Sequence, residues 1–169
     1  HGDYGDAWVR DCVYSIHCVW GLALAHRRRH GAQSGRAWEL EQRVLALMRG
    51  LLRAMLRQAA KVERFKSSLD PLDALHAKYD SSSGDPVVAD DAWGHLQIDA
   101  TSLFLLQLAQ LTRGGCIVIR SRDEVDFIQN LVHYVARAYR TKDYGIWERG
   151  DKGNHGLPER NASSIGMAK

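Results

Sequence analysis

The chain has 169 residues, of which 45% are hydrophobic and 25% are charged, values that are ordinary for a soluble globular domain. Its 23 basic and 20 acidic residues leave a net charge of +3, which is too small to indicate a nucleic-acid-binding protein. No apolar run approaches the roughly 18 residues that a membrane-spanning helix requires.

The number and spacing of the cysteines indicate the cellular compartment of the protein and whether it has a disulfide framework or a zinc site. There are three, an odd number without Cys-x-x-Cys spacing, at Cys12, Cys18 and Cys116. This pattern indicates reduced thiols in a cytosolic protein rather than a disulfide framework or a zinc site. We also expect no metal site and no cofactor.

The first predicted helix covers residues 7–27, AWVRDCVYSIHCVWGLALAHR. Apolar residues surround nearly the whole of it, which predicts a helix that is buried on all sides. The arginines near its end and the glycines that follow are typical of a helix C-terminus.

A second predicted helix covers residues 37–66, where apolar residues recur at spacings of three and four. This period indicates one buried face and one exposed face. The exposed face carries a basic stripe, defined by Arg49, Arg53, Arg57 and Lys61. The stripe is either a solvated outer face or a docking surface for calmodulin or another protein.

The remaining segments alternate in the same way. Residues 69–92 are predicted to be irregular, with LHAKY and PVVAD pairing as a small β-hairpin. A strongly apolar helix is predicted over 97–112 and an amphipathic helix over 122–141. A glycine-rich loop follows, and Asn161 or Ser163 is expected to cap the next helix. The sequence NAS at 161–163 also matches a glycosylation sequon.

Alternation of buried and half-exposed helices predicts an all-α fold with an inner and an outer ring of helices. In such a ring the N-termini of the inner helices lie at one end, and an aromatic and polar loop precedes each of them: YGDAWVRD, DDAWGHLQID and YGIWERGDKGNHG. We therefore expect the following side chains to lie together at that end of the ring, around one opening: Trp8, Arg10, Asp11, Trp93, His95, Gln97, Asp99, Trp147, Glu148 and Arg149.

These residue types predict a saccharide site. Indole rings pack against the C–H faces of sugars, and Asp, Arg, Gln and His form hydrogen bonds with the hydroxyl groups. A carboxylic acid whose pKa is raised by burial can protonate a glycosidic oxygen. The region 70–99 is also acidic, with seven aspartates and one lysine.

Several of these segments resemble one known family. AWVRDCVYSIHCVWGLALAHRR, WGHLQIDATSLFLL and DYGIWERGDKGN resemble the amino-terminal glucoamylase-like domain of the phosphorylase kinase regulatory subunits. That domain is related to the glycoside hydrolase family of glucoamylases. Asp99 makes the chain more similar to the alpha subunits than to the beta subunits. The resemblance covers essentially the whole chain, residues 1–169.

The resemblance implies an (α/α)6 barrel, of which the chain holds roughly the first half. It implies that Arg10 and Asp11 hold a terminal glucose, and that Trp93, Gln97 and Asp99 belong to a sugar-binding loop. By the same resemblance Glu148, beside Trp147, occupies the place of the general acid. The general base of that family lies beyond Lys169.

Three positions depart from the enzyme pattern. His95 and Leu96 stand where the glucoamylases have Arg and Pro, and Arg149 replaces a second Glu. A cation beside a carboxylate lowers its pKa, whereas a general acid needs a raised pKa. We therefore expect Arg149 to weaken Glu148 as an acid.

The resemblance further implies a regulatory subunit that works with beta, gamma and calmodulin-like delta subunits in glycogen breakdown. It implies a cytoplasmic protein that reaches the plasma membrane through prenylation near a distant C-terminus. The alternative is an active inverting glucosidase with Glu148 as general acid. Because the chain begins without Met and ends in the first turns of a helix, we expect a piece of a longer protein, whose exposed inner helices would make it aggregate in isolation.

Overall fold

The computed structural model describes residues 5–169, which contain six α-helices and one two-stranded sheet. Their bounds, in chain order, are β1 Asp6–Trp8, α1 Val9–His30, α2 Gly35–Leu56, α3 Ala59–Ser68, β2 Lys78–Asp80, α4 Ile98–Arg113, α5 Arg122–Ala138 and α6 Ala162–Ala168. The prediction of a mainly helical protein is confirmed. Within these residues, no helix combines the length and the apolar character needed to cross a membrane.

Helices α1 and α2 form an antiparallel hairpin. Helix α1 ends in basic residues followed by Gly31, whose φ of +80° is costly for residues with a Cβ. Ser34 caps the N-terminus of α2, and its hydroxyl oxygen accepts a hydrogen bond from the Ala37 amide at 3.3 Å. The hairpin buries most of the apolar stripe that the sequence predicted for α2, but Leu47 of that stripe is 48% exposed.

Helix α1 is not buried on all sides, so that prediction is wrong for the described residues. Val13, Ile16 and other core residues lie on one face, whereas Tyr14 and Leu22 are 51% and 56% exposed. The hydrophobic residues around the helix exceed what α2 and α4 can cover. An apolar surface therefore remains on the side of α1 that no described element contacts.

The second predicted helix is in fact two helices, because Gln58 interrupts it with φ −102° and ψ 19°. The Gln58 side chain is buried, and its Oε1 accepts hydrogen bonds from the His76 amide at 2.9 Å and from the Tyr79 hydroxyl at 3.3 Å. These long-range contacts give Gln58 a role that the local helical period does not reveal.

The predicted hairpin between LHAKY and PVVAD is also largely wrong. Strand β2 pairs with β1 instead, in an antiparallel register that places Trp8 opposite Lys78. Only an isolated bridge between Tyr79 and Pro86 remains of the predicted hairpin. The Asp80 carboxylate accepts hydrogen bonds from the amides of Ser82 and Ser83 at 2.9 and 2.7 Å. The resulting tight turn leaves few residues that could pair with β2 as a second strand.

The pairing of β1 with β2 places the start of α1 beside the 76–80 segment, and the Val9 amide donates to the Ala77 carbonyl at 2.9 Å. Helix α4 packs against α1, α5 and α6, and its N-terminus lies in the same region as that of α1. Two helix N-termini and the loops that precede them therefore share one end of the described protein.

Candidate functional site

Arg10 joins the three predicted loops. In the first turn of α1, its Nε donates to Asp99 Oδ2 at 2.6 Å, its Nη1 to Glu148 Oε1 at 3.0 Å, and its Nη2 to Gln97 Oε1 at 2.9 Å. The loops at residues 5–10, 93–99 and 144–149 therefore meet at one end of α1 and α4. We call this region the Arg10 cluster.

Gln97 and Asp99 lie behind Arg10 rather than facing solvent. They are 3% and 4% exposed. Both Asp99 oxygens accept from Arg10, the second at 3.2 Å, and the Gln97 amide nitrogen donates to the Gly94 carbonyl at 2.9 Å. These two residues hold the Arg10 guanidinium, and their direct contact with a sugar stays a prediction.

Two cations cover the predicted sugar-stacking surface of Trp93. Lys78 Nζ lies 5.2 Å from its ring centroid and 4.5 Å from that of Trp8, and Arg149 Cζ lies 5.2 Å from the Trp93 ring. Such cation–π contacts are attractive, so a sugar would have to displace a cation to stack on Trp93. Trp147, which is 42% exposed, presents more free ring surface.

Glu148 has a strained backbone, with φ +64° and ψ −30°, a region that non-glycine residues rarely occupy. Its carbonyl accepts a hydrogen bond from the Gly94 amide at 3.1 Å. A Cβ on Gly94 would lie 2.3 Å from that carbonyl oxygen and 2.4 Å from Tyr144 Cγ. Glycine at position 94 is therefore what permits the two loops to approach.

Burial raises the pKa of Glu148 above its usual value, and this effect exceeds the opposing attraction of Arg10. Asp11 raises the pKa further, whereas the effect of Arg149 is the smallest of those that lower it. Arg149 therefore lowers the pKa of Glu148, as predicted, but desolvation of the carboxylate outweighs it, so the predicted net decrease is wrong.

The groups left to bind a ligand lie on the outer side of the cluster. Asp11 and Arg149 are exposed, and Glu148 is half-buried with one carboxylate oxygen engaged by Arg10. Together with the Trp147 ring they offer two carboxylates, a guanidinium and an indole. This combination can accept and donate hydrogen bonds to hydroxyl groups while covering an apolar sugar face.

His95 does not join the Arg10 cluster, contrary to the prediction. Its ring is stacked on His76, with centroids 3.6 Å apart and planes at 10°, and its Nε2 lies 3.1 Å from the Ala89 carbonyl. Burial lowers the pKa of His95 to about 4, and the pKa of His76 is lowered for the same reason. Both rings are therefore neutral at pH 7. Their stacking stabilises the loop that leads to Trp93.

A buried carboxylate that the sequence analysis missed anchors the Glu148 loop. Asp143 is 1% exposed and accepts hydrogen bonds from the Ile98 amide at 3.1 Å, Ser164 Oγ at 2.6 Å and Asn161 Nδ2 at 2.9 Å. Asn161 occupies the predicted cap position of α6, but its side chain makes no capping bond. The signal available in sequence was an Asp directly before the loop.

The basic stripe is mostly neutralised within the chain. Arg49 pairs with Glu124 at 3.1 Å, Arg57 with Asp85 at 2.6 Å and Lys61 with Asp90 at 2.8 Å. Of the four, only Arg53 has no ion pair with any residue of the described chain. The side chains of Arg49 and Lys61 are each only 12% exposed, so the stripe is not the continuous solvated face that was predicted, and its role as a docking surface stays a prediction.

Two features compete with the Arg10 cluster as a candidate site. His26 and His30 are four residues apart with stacked rings, yet no group of three His, Cys, Asp or Glu among residues 5–169 is arranged to hold a metal ion. A groove of about 770 Å³ lies between α2 and the turn after β2. Its walls include Cys12, Arg53, Arg57 and Asp80 beside small residues such as Gly50. Arg57 is paired with Asp85, the Asp80 carboxylate accepts from turn amides, and no indole lines the groove, so the chemistry favours the Arg10 cluster.

Comparison with known proteins supports the predicted resemblance. The chain is 58% identical over 166 residues to the phosphorylase b kinase regulatory subunit alpha, liver isoform, of Takifugu rubripes, covering 97% of this chain and 14% of the relative. It is 59% identical over 169 residues to the skeletal muscle isoform of Oryctolagus cuniculus, covering 99% of this chain and 14% of that relative.

A third relative is the probable phosphorylase b kinase regulatory subunit alpha of Drosophila melanogaster, 60% identical over 165 residues, with 96% of this chain and 13% of the relative covered. The resemblance to the alpha regulatory subunits is confirmed, although the chain spans only about one seventh of their length. The model of glycosyl hydrolases family 15 matches residues 1–169, and the chain therefore belongs to that family.

Proposed function

We propose that this chain is the amino-terminal part of a regulatory subunit of a phosphorylase kinase, acting with beta, gamma and calmodulin-like delta subunits. The names and identities of its relatives support this proposal. In the same proposal the protein is cytoplasmic and reaches the plasma membrane through a lipid on a distant C-terminal segment.

We further propose that residues 1–169 form the first half of an (α/α)6 barrel. The family match supports this, and so does the apolar surface that the described elements leave uncovered. Leu22 of α1, Leu106 of α4 and Val132 of α5 are each about half exposed. Further helices that pack beside them would bury this surface, and each Å² of apolar surface buried would stabilise the fold by about 25 cal/mol.

Within that barrel, we propose that the Arg10 cluster binds a glucan without cleaving it. The observation that carries this is the convergence of Arg10, Glu148 and the Trp147 loop at the N-termini of α1 and α4. Glu148 is tied to Arg10 at 3.0 Å, which holds the carboxylate as a ligand for hydroxyl groups. The cations over Trp93 remove one stacking surface that hydrolysis of a long glucan would use.

An active inverting glucosidase is the second candidate. The raised pKa of Glu148 and its strained backbone favour it, because both are typical of catalytic carboxylic acids. Inversion also requires a second carboxylate about 6.5–9.5 Å away as general base. The resemblance places that residue beyond Lys169. A measurement of turnover, rather than the described geometry, therefore distinguishes glucan binding from glucosidase activity.

The test uses the full-length subunit with maltooligosaccharides, measuring binding by calorimetry and glucose release by an enzymatic assay. We expect binding without glucose release, and Glu148→Gln should weaken binding by at least about fivefold, the loss of one charge-assisted hydrogen bond. Glu159→Gln, in the same loop region but without a side-chain partner in the described chain, is the matched control.

Glucose release that Glu148→Gln abolishes would establish the glucosidase instead. Absence of both binding and release would leave the domain as a scaffold in the kinase complex.

A further inference from the structure

Two large apolar side chains are exposed at the end of the protein opposite the Arg10 cluster. Trp38 and Ile117 are 64% and 70% exposed. Trp38 lies in the first turn of α2 and Ile117 in the segment that follows α4. Helix α1 runs between the two ends and, with 22 residues, spans about 33 Å.

Trp38 and Ile117 share one side of the molecule. Arg49 lies three turns after Trp38 on the same flank of α2, and its guanidinium donates to the Val118 carbonyl and to Glu124. The flank of α2 that carries Trp38 therefore faces the segment that contains Ile117. Farther along this flank, α5 contacts α2 through Glu124, whereas no described element covers Trp38.

The surroundings of these two residues are basic. Residues 26–43 contain five arginines and two glutamates, and Arg36 and Arg43 share a single partner, Glu39. Arg28, Arg29 and Arg113 are exposed, and none of them has an ion pair with a residue of the described chain. Unlike the basic stripe, this end therefore keeps unneutralised guanidinium groups.

We propose that Trp38, Ile117, Arg28, Arg29 and Arg113 form a docking surface for an acidic surface of a partner protein subunit. We call it the Trp38 face. Tryptophan and arginine are the residues most enriched at the energetic centres of protein interfaces. An exposed indole beside free arginines fits a partner that presents an apolar pocket bordered by Asp and Glu. The proposal rests on the proposed membership of a kinase complex, and it does not depend on sugar binding at the Arg10 cluster.

The experiment places a photo-crosslinking amino acid, p-benzoylphenylalanine, at position 38 or 117 of the full-length chain, co-expressed and purified with its partner subunits. We expect a crosslink from both positions to one other subunit, at a peptide rich in Asp and Glu. Position 47 is the control, because Leu47 is 48% exposed but lies nine residues from Trp38, on the opposite flank of α2.

Charge reversal tests the role of the arginines. Arg28→Glu with Arg29→Glu should lower the crosslink yield by about tenfold, whereas the Lys variants of both positions should retain it. Any of three results would overturn the proposal. The crosslink could be confined to this chain or to lipid, the crosslinked peptide could lack acidic residues, or the charge reversal could leave the crosslink yield unchanged.

Discussion

Arg10 and Asp99 form a two-point ion pair, with Nε–Oδ2 and Nη2–Oδ1 distances of 2.6 and 3.2 Å, that ties the first turn of α1 to the first turn of α4. Their side chains are 11% and 6% exposed. Removal of one partner from such a pair leaves a charge with little access to water. The pair therefore controls both the helix packing and the orientation of the guanidinium that holds Glu148.

The first prediction concerns this pair. Asp99→Ala should lower the free energy of unfolding of the full-length domain by about 3 kcal/mol, because Glu148 is then the one ion-pair partner that Arg10 keeps among the described residues. Asp99→Asn, which retains the shape and one acceptor, should cost about half as much. Urea denaturation measures both. Asp91→Ala, at an exposed position in the preceding loop, should change stability by less than about 0.5 kcal/mol.

The second prediction compares two glycines. Gly94→Ala should separate the Trp93 and Glu148 loops, because the new Cβ meets backbone and ring atoms at 2.3 to 2.6 Å. We expect a loss of about 2–3 kcal/mol together with loss of glucan binding. Gly21→Ala, inside α1 with nothing within 4 Å, should instead raise stability by about 0.5–1 kcal/mol. Equal effects of the two substitutions would contradict the close approach described above.

The third prediction concerns pH and the stacked histidines. The pKa of His95 falls from 6.5 to about 4 on folding, so the native state disfavours the protonated ring that the unfolded chain accepts. The stability present above pH 6.5 should decline as the pH falls toward 4, by up to about 3 kcal/mol. Lys61 and Asp90 are the charged groups that face the pair, and the carboxylate only partly offsets burial.

His95→Phe keeps an aromatic ring on His76 but cannot be protonated, so its stability should depend less on pH between 6.5 and 4. Thermal unfolding of the full-length domain across that range provides the measurement. His133→Gln, at an exposed position on α5, should leave the pH dependence of the parent unchanged. A His95→Phe variant whose stability depends on pH as strongly as the parent's would refute the assignment of this pH dependence to His95.

The sequence predicted the elements that local periodicity controls. The starts of α1, α4 and α5 lie within two residues of their predicted positions, because an apolar stripe or an all-apolar run defines each helix. The meeting of the three loops followed from a topological argument about inner helices rather than from any single motif.

The features that sequence analysis missed all depend on contacts between distant residues. Gln58 breaks a helical pattern to bond with residues 18 and 21 positions away, and Asp143 is buried by partners 45 and 21 residues distant. For Glu148 the sequence indicated both a rise in pKa from burial and a decrease from Arg149, but not the contact with Arg10, 138 residues away, which is the largest effect that lowers it. Local spacing contains no information about such partners.

The fourth prediction concerns the isolated chain of residues 1–169. Leu22, Leu106 and Val132 leave apolar surface open, so we expect the isolated chain to aggregate or to elute as large oligomers in size-exclusion chromatography. Replacement of Leu22 and Leu106 by Gln should increase the monomer fraction several-fold, whereas Leu72→Gln, on the separate segment before β2, should not. A monomeric parent that unfolds in one cooperative transition would contradict the expectation.

The contact between Arg10 and Glu148 spans 138 residues of chain, which sets when it can form during synthesis. At about 5–20 residues per second, a ribosome needs roughly 7–30 s to add the segment between them. During that interval the guanidinium of the nascent chain lacks its second counter-charge. We therefore expect the amino-terminal helices to need protection by a chaperone until the Trp147 loop has emerged.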